Sequence, residues 1–251
     1  MWTLPRPKMC EEQSSLRCDY LPGCLYKIWQ DAGEFCFTTD AVFLGNFPHI
    51  VTKAKALELG CGTGAVSMLL AARGAARVTA IDCNANVTKL LRRSAADNGL
   101  EDRLTVVDGD IRNYKTLLRP ESMDLVAANP PYRNSGNVRR IGTAACHELT
   151  ATLEDFFKAA AFAVRYRGRF ALVQLPDRFA ESMQLAFKYG LQPKRLQWVH
   201  ASAEKPAWIF LMEMVKGGSC GLEVLPPLIM YDKNGEYTEQ VKKYYATELP
   251  R

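Results

Sequence analysis

The chain has 251 residues, 48% of them hydrophobic, and a formal net charge of +5. That length suits one α/β domain with short terminal additions, and no run approaches the roughly 18 apolar residues of a membrane span. Residues 1–7 lack the apolar core of a signal peptide, so a cytoplasmic protein is expected, with a monomer favoured. The eight cysteines form no C-x-x-C pair and no histidine stands at zinc spacing, so no metal site is expected.

Residues 1–35 read as an N-terminal extension, and Phe35 and Phe37 behind it as packing residues. Residues 54–59 read as a short strand, and 65–73 as a helix ending at Gly74, a usual C′ residue. Between them lies Gly60-Cys61-Gly62-Thr63-Gly64, whose glycines let the backbone pass close to a ligand at a helix N-terminus. Residues 77–82 form a second strand ending in Asp82, roughly twenty residues past the glycines, where an acidic residue can accept from ribose hydroxyls. The glycines are spaced G-x-G-x-G rather than G-x-G-x-x-G and are preceded by Glu58. A carboxylate there repels a pyrophosphate and suits a cationic ligand, which argues against a nicotinamide dehydrogenase.

A helix over 86–98 ends at Gly99, and the run 104–110 closes on Asp110-Ile111. The apolar strand 123–128 then delivers Asn129-Pro130-Pro131-Tyr132. Proline contributes a carbonyl but no donor, so Asn129 and Pro130 together offer two acceptors to one NH2 group, and Tyr132 offers a π face. Arg133, Arg139 and Arg140 follow in a Gly/Asn/Ser-rich segment, where basic residues beside a base-sized pocket suit a polyanionic substrate. A helix over 153–166 stopped by Gly168, a strand over 169–175 and a helix opened by Pro176-Asp177 and ending near Gly190 come next. Lys188, Lys194 and Arg195 read as a solvated face. Strands 196–200 and 208–214 are separated only by the Lys205-Pro206 turn, too short for a crossover, so they should pair antiparallel. Residues 36–215 thus make the main domain, with 216–251 a C-terminal extension packed on it.

These blocks resemble the motifs of class I S-adenosylmethionine-dependent methyltransferases that act on a planar amine or amide nitrogen. More narrowly, the chain resembles the bacterial tRNA (adenine-N6)-methyltransferases that modify a valine tRNA beside its anticodon. That likeness extends to residues 37–44, His147-Glu148, Lys205-Pro206-Ala207 and residues 231–238. It departs at Cys146, where an arginine is expected. The resemblance implies a Rossmann-like fold: a seven-stranded, mainly parallel sheet with a C-terminal antiparallel hairpin and helices on both faces. It implies S-adenosylmethionine as cofactor, held by Glu58, Gly60, Cys61, Gly62, Thr63, Gly64, Asp82, Asp110 and Ile111. Asn129, Pro130, Pro131 and Tyr132 would form the catalytic turn, with tRNA as partner. The residues leave open methylation of rRNA or DNA adenine, of a protein glutamine, and a non-catalytic RNA-binding module.

Overall fold

In the computed structural model, residues 16–34, 36–132 and 151–246 are described. A two-stranded hairpin, β1 (Leu16–Tyr20) and β2 (Lys27–Asp31), precedes helix α1 (Thr39–Asn46). The alternating series follows: β3 (Lys55–Leu59), α2 (Ala65–Ala72), β4 (Arg77–Asp82), α3 (Ala85–Asp97), β5 (Leu104–Asp108), α4 (Tyr114–Leu117) and β6 (Met123–Ala128). Then come α5 (Leu153–Ala163), β7 (Val164–Gln174), α6 (Phe179–Lys188), β8 (Leu191–His200) and β9 (Ala207–Lys216). Two-residue strands β10 (Glu223–Val224) and β11 (Leu228–Ile229) and helix α7 (Glu239–Tyr245) complete the described chain.

The strands order as β10-β8-β9-β7-β6-β3-β4-β5, with β11 also on β8. Strands β3 to β7 are mutually parallel where they pair, and β9 lies antiparallel between β7 and β8. The seven expected strands are therefore present. Two further short strands from residues 216–251 extend the β8 edge, pairing parallel to it. Leu57, Leu59, Val126 and Ala127 are fully buried, as the continuous apolar runs of parallel strands covered on both faces require. One core packs α1, α2 and α3 on the sheet through Phe43, Leu69 and Leu91; the other packs α5 and α6 through Phe157, Phe170 and Phe210.

Local chemistry sets the helix ends. At the end of α2, Gly74 (φ +98°) donates to Ala71 O and Ala75 to Leu70 O, the paired bonds of a Schellman stop. Thr152 and Asp155 form a reciprocal capping box at the start of α5.

The helix expected over 153–166 is shorter. Val164 turns extended and pairs with Met123, so β7 begins where α5 ends. Gly168 does not stop a helix; it lies within a bulge of β7, where a Cβ would sit 2.7 Å from Val164 and 2.9 Å from the Arg165 carbonyl. Arg195 is not simply solvated. It sits 3.6 Å from the fully buried Glu213 carboxylate, which also takes Arg169 at 2.6 Å and the His49 amide at 2.7 Å.

Candidate active site

Strands β3, β4 and β6 end at the same edge, and their carboxyl-end loops converge there, as ligand sites of open α/β sheets do. The amides of Gly60 and Cys61 both donate to Ile81 O at 2.9 Å, folding the glycine loop over the end of β4. Gly62 (φ +51°) then donates to Asp82 Oδ2 at 2.8 Å, and nothing described lies within 4 Å of where its Cβ would be. Gly64 caps α2 at φ +84°, and a Cβ there would fall 2.1 Å from Leu91. No other residue fits that position.

A cavity of about 730 Å³ gathers the sequence-assigned residues: Glu58, Gly60, Cys61, Gly62, Thr63, Asp82, Asp110 and Ile111 on one side, and Asn129, Pro130, Pro131 and Tyr132 on the other. Gly64 does not line it; its part is to let α2 approach α3. Phe37 both packs on the core and lines the cavity. Phe35, Arg133, Arg139, Arg140, Cys146, His147 and Glu148 lie outside the described residues.

Glu58 is buried, and its Oε2 accepts from the Ser67 amide at 2.7 Å and from the Ser67 hydroxyl. Burial pushes its carboxyl up to about 8, with the Ser67 bonds opposing and the Asp82 charge adding to the rise. The folded protein therefore keeps a proton that the unfolded chain releases near the ordinary Glu value. Its stability should fall as pH rises from about 4.5 to about 8 and then level off. Glu58→Gln keeps an acceptor for Ser67 and removes this slope. Thermal melts at pH 5 and pH 9 should show the variant gaining about 5 °C or more relative to wild type at the higher pH. Parallel curves would refute the assignment.

Asp82 sits between two amides, Gly62 on Oδ2 and Asn84 on Oδ1 at 2.9 Å, and burial raises its pKa against those bonds. Asn84 and Asn86 in turn donate their side-chain NH2 groups to Glu34, each at 2.8 Å, tying the hairpin side of the fold to the rim beside Asp82. Asp110 is paired within its own turn. Both its oxygens accept from Arg112, including Nε at 2.8 and 3.0 Å, and these bonds lower its pKa. Ile111 is buried against the cavity wall. Burial raises the Cys61 thiol well above its usual range, so it is a neutral wall of the loop.

At the acceptor end the structure adds a residue that the sequence reading passed over. Asp40, in the first turn of α1, is 3% exposed and lines the cavity. Its Oδ2 accepts from Asn129 Nδ2 at 3.4 Å and from the Tyr132 hydroxyl; its Oδ1 accepts from Thr38 Oγ1 and from the Ala41 amide at 3.0 Å. Thr38 consequently makes no side-chain cap on α1. Asn129 thus turns its NH2 group toward Asp40, which leaves Oδ1 facing away. Burial and the Asp40 charge raise the Tyr132 pKa, which keeps the phenol a neutral donor. The available signal was a lone charge in an otherwise apolar helix, 41–44 being Ala-Val-Phe-Leu.

Residues 56–150 match the protein family described as a methyltransferase domain. The chain is 29% identical over 227 residues to a tRNA1(Val) (adenine(37)-N6)-methyltransferase of Porphyromonas gingivalis, covering 84% of this chain and 89% of that protein. A protein of the same name from Vibrio campbellii is 25% identical over 214 residues, covering 83% and 87%. Among solved structures, a predicted O-methyltransferase from Agrobacterium tumefaciens superposes with a TM-score of 0.68 at 22% identity, over 82% of this chain and 95% of that one. Geranyl diphosphate C-methyltransferase from Streptomyces coelicolor A3(2) gives 0.54 at 12% identity, over 71% and 78%. The chain has the class I methyltransferase fold, matches a methyltransferase domain over residues 56–150, and resembles the tRNA1(Val) (adenine(37)-N6)-methyltransferases over most of its length.

Proposed function

We propose that this protein transfers a methyl group from S-adenosylmethionine to N6 of an adenine in tRNA, the adenine beside the anticodon of a valine tRNA. One observation carries the reading: the Asn129–Tyr132 turn and the glycine loop open into a single cavity, with Asp40 fixing the amide that must grip the acceptor nitrogen. The relatives named for adenine-37 methylation supply the narrower substrate.

The cavity's donor set fits the cofactor. Asp82, with both oxygens already oriented by backbone amides, retains lone pairs for ribose hydroxyls. Ile111 offers an apolar wall to the adenine ring, with Asp110 held in place by Arg112. The open side of Gly62 and the Glu58 carboxyl would face the methionine end. When bound, S-adenosylmethionine supplies an electrophilic methyl group on a sulfonium.

The chain's own residues have to present a nitrogen to it. An exocyclic amine conjugated to a ring is a poor nucleophile because its lone pair is delocalised. Asn129 Oδ1 and the Pro130 carbonyl would accept its two N–H bonds and favour a pyramidal nitrogen. Orientation of this kind lowers a barrier by several kcal/mol without a charged base. The Tyr132 ring, anchored through its hydroxyl to Asp40, would stack on the extruded base.

Asp40 is then a positioning residue. Asp40→Asn places an NH2 group where Asn129 and Tyr132 both donate, and it should lower kcat by roughly 10–100-fold, the worth of one charge-assisted buried hydrogen bond. Cofactor affinity by calorimetry should hold near wild type. A loss of cofactor affinity with kcat preserved would place Asp40 in cofactor binding instead. The reaction itself is tested with purified protein, labelled S-adenosylmethionine and total tRNA from a strain lacking the gene. Label should appear in N6-methyladenosine by mass spectrometry; label in glutamine of a co-purifying protein, or none in RNA, would overturn the reading.

A further inference from the structure

The C-terminal segment carries three tyrosines that stack face to face. Tyr231 and Tyr237 have ring centroids 5.1 Å apart at an interplanar angle of 17°, and Tyr237 and Tyr245 lie 5.2 Å apart at 23°. The inner end of this column touches the active-site helix: the Tyr245 hydroxyl is 3.5 Å from Thr39 Oγ1, between the cavity-lining Thr38 and Asp40. The outer end is Tyr231, 37% exposed.

Topology puts the column on the ligand edge of the sheet. Strand β11 runs parallel to β8, β8 and β7 both run antiparallel to β9, and β7 runs parallel to β6. The carboxyl end of β11, which leads into Tyr231, therefore shares an edge with Asn129. The Tyr231 amide donates to Ala201 O at 2.9 Å, seating the ring beside the turn that holds Lys205. From β6 the sheet steps through β7, β9 and β8 to β11, four strand spacings or about 19 Å. The order along the edge is glycine loop, catalytic turn, tyrosine column. Lys205, Lys233 and Lys243 are exposed in these segments, interleaved with the exposed carboxylates of Glu204, Asp232 and Glu236.

Tyr231 and Tyr237 face each other across an isolated antiparallel bridge, which sets their rings in register. Buried aromatic groups adopt edge-to-face contacts as readily as stacked ones, and here a stack of parallel rings ends in a ring open to solvent. Such a surface extends by adding one more flat ring. We propose that the Tyr231–Tyr237–Tyr245 column is a base-stacking platform that receives a single-stranded nucleotide flanking the target adenine. It would hold the loop strand while the adenine enters the cavity. This rests on the RNA reading above and names a contact that reading lacks.

The test is steady-state methylation of a valine anticodon stem-loop RNA by the full chain. Tyr231→Ala should raise KM for the RNA about 5–150-fold, the range that loss of one base–aromatic stack gives. kcat should stay within about twofold, and cofactor affinity should match wild type. Tyr231→Trp, which keeps a π face, should retain the wild-type KM, whereas Tyr231→Leu, which keeps only apolar bulk, should behave as the alanine variant. A 2-aminopurine next to the target adenine should be quenched by wild type and less so by Tyr231→Ala. Wild-type KM in both the alanine and leucine variants, or equal rescue by leucine and tryptophan, would overturn the platform while leaving the methylation reading intact. If wild type methylates no RNA at all, the reading itself fails and the platform falls with it.

Discussion

Asn129→Ala is expected to lower kcat by at least about 10²–10³-fold while leaving the calorimetric Kd for S-adenosylmethionine unchanged. The magnitude is that of deleting one preorganised polar group aimed at the reacting atom. Asn129 is suited to the task because its neighbours remove its freedom. Pro130 and Pro131 fix the backbone that carries it, and Asp40 takes its NH2 group. Oδ1 is left with one orientation before any substrate arrives. The alanine variant retains the Pro130 carbonyl, the Tyr132 anchor and the cofactor wall, so the loss should appear in turnover rather than in cofactor affinity. Asn129→Asp is the informative companion. Its carboxylate would lie close to that of Asp40, and two like charges at that range resist joint ionisation. It should be inactive at neutral pH and disturb the Tyr132 anchor, which the alanine variant should leave in place. An alanine variant with wild-type turnover would mean that some other group holds the acceptor nitrogen.

What was readable in the sequence is what leaves a local mark. The glycine loop is legible because its left-handed backbone and the contact with Leu91 leave few residues to choose from. The parallel strands are legible because burial on both faces forces unbroken apolar runs. Asp82 is legible through its distance from the glycines. The departures share another character. Asp40 acts on Asn129 and Tyr132 across 89 and 92 residues, and a contact of that span writes nothing into the intervening sequence. The start of β7 was hidden because Val164, Arg165, Tyr166 and Arg167 follow the helical run with no Gly or Pro before Gly168 to stop it. Only pairing with β6 ends the helix at Ala163. The tyrosine column escaped for a related reason: its members fall on a bridge residue, its partner and a helix, a spacing that belongs to no single element's period.

Asp82→Ala is expected to weaken S-adenosylmethionine binding by about 10²-fold or more, with kcat at saturating cofactor much less affected. Two losses combine. The ribose hydroxyls would lose a charged acceptor, and hydrogen bonds to charged groups contribute about 1.5–3 kcal/mol each. The loop itself would also relax, because the Gly62 and Asn84 amides both rest on this carboxylate. Asp82→Asn separates the two effects. One amide oxygen can still accept from Gly62 or Asn84, but the NH2 group then meets the other backbone N–H, donor against donor. If ribose contact dominates, the asparagine variant should bind a ribose-lacking fragment of the cofactor as wild type does and lose affinity only for the full molecule. If loop support dominates, both ligands should weaken together and hydrogen exchange at Gly62 should speed up. The buried position and raised pKa of Asp82 add a control. Below neutral pH the wild-type carboxylate begins to take a proton before an ordinary aspartate would, so its cofactor affinity should fall with acidification. The alanine variant, with nothing there to titrate, should lack that part of the decline.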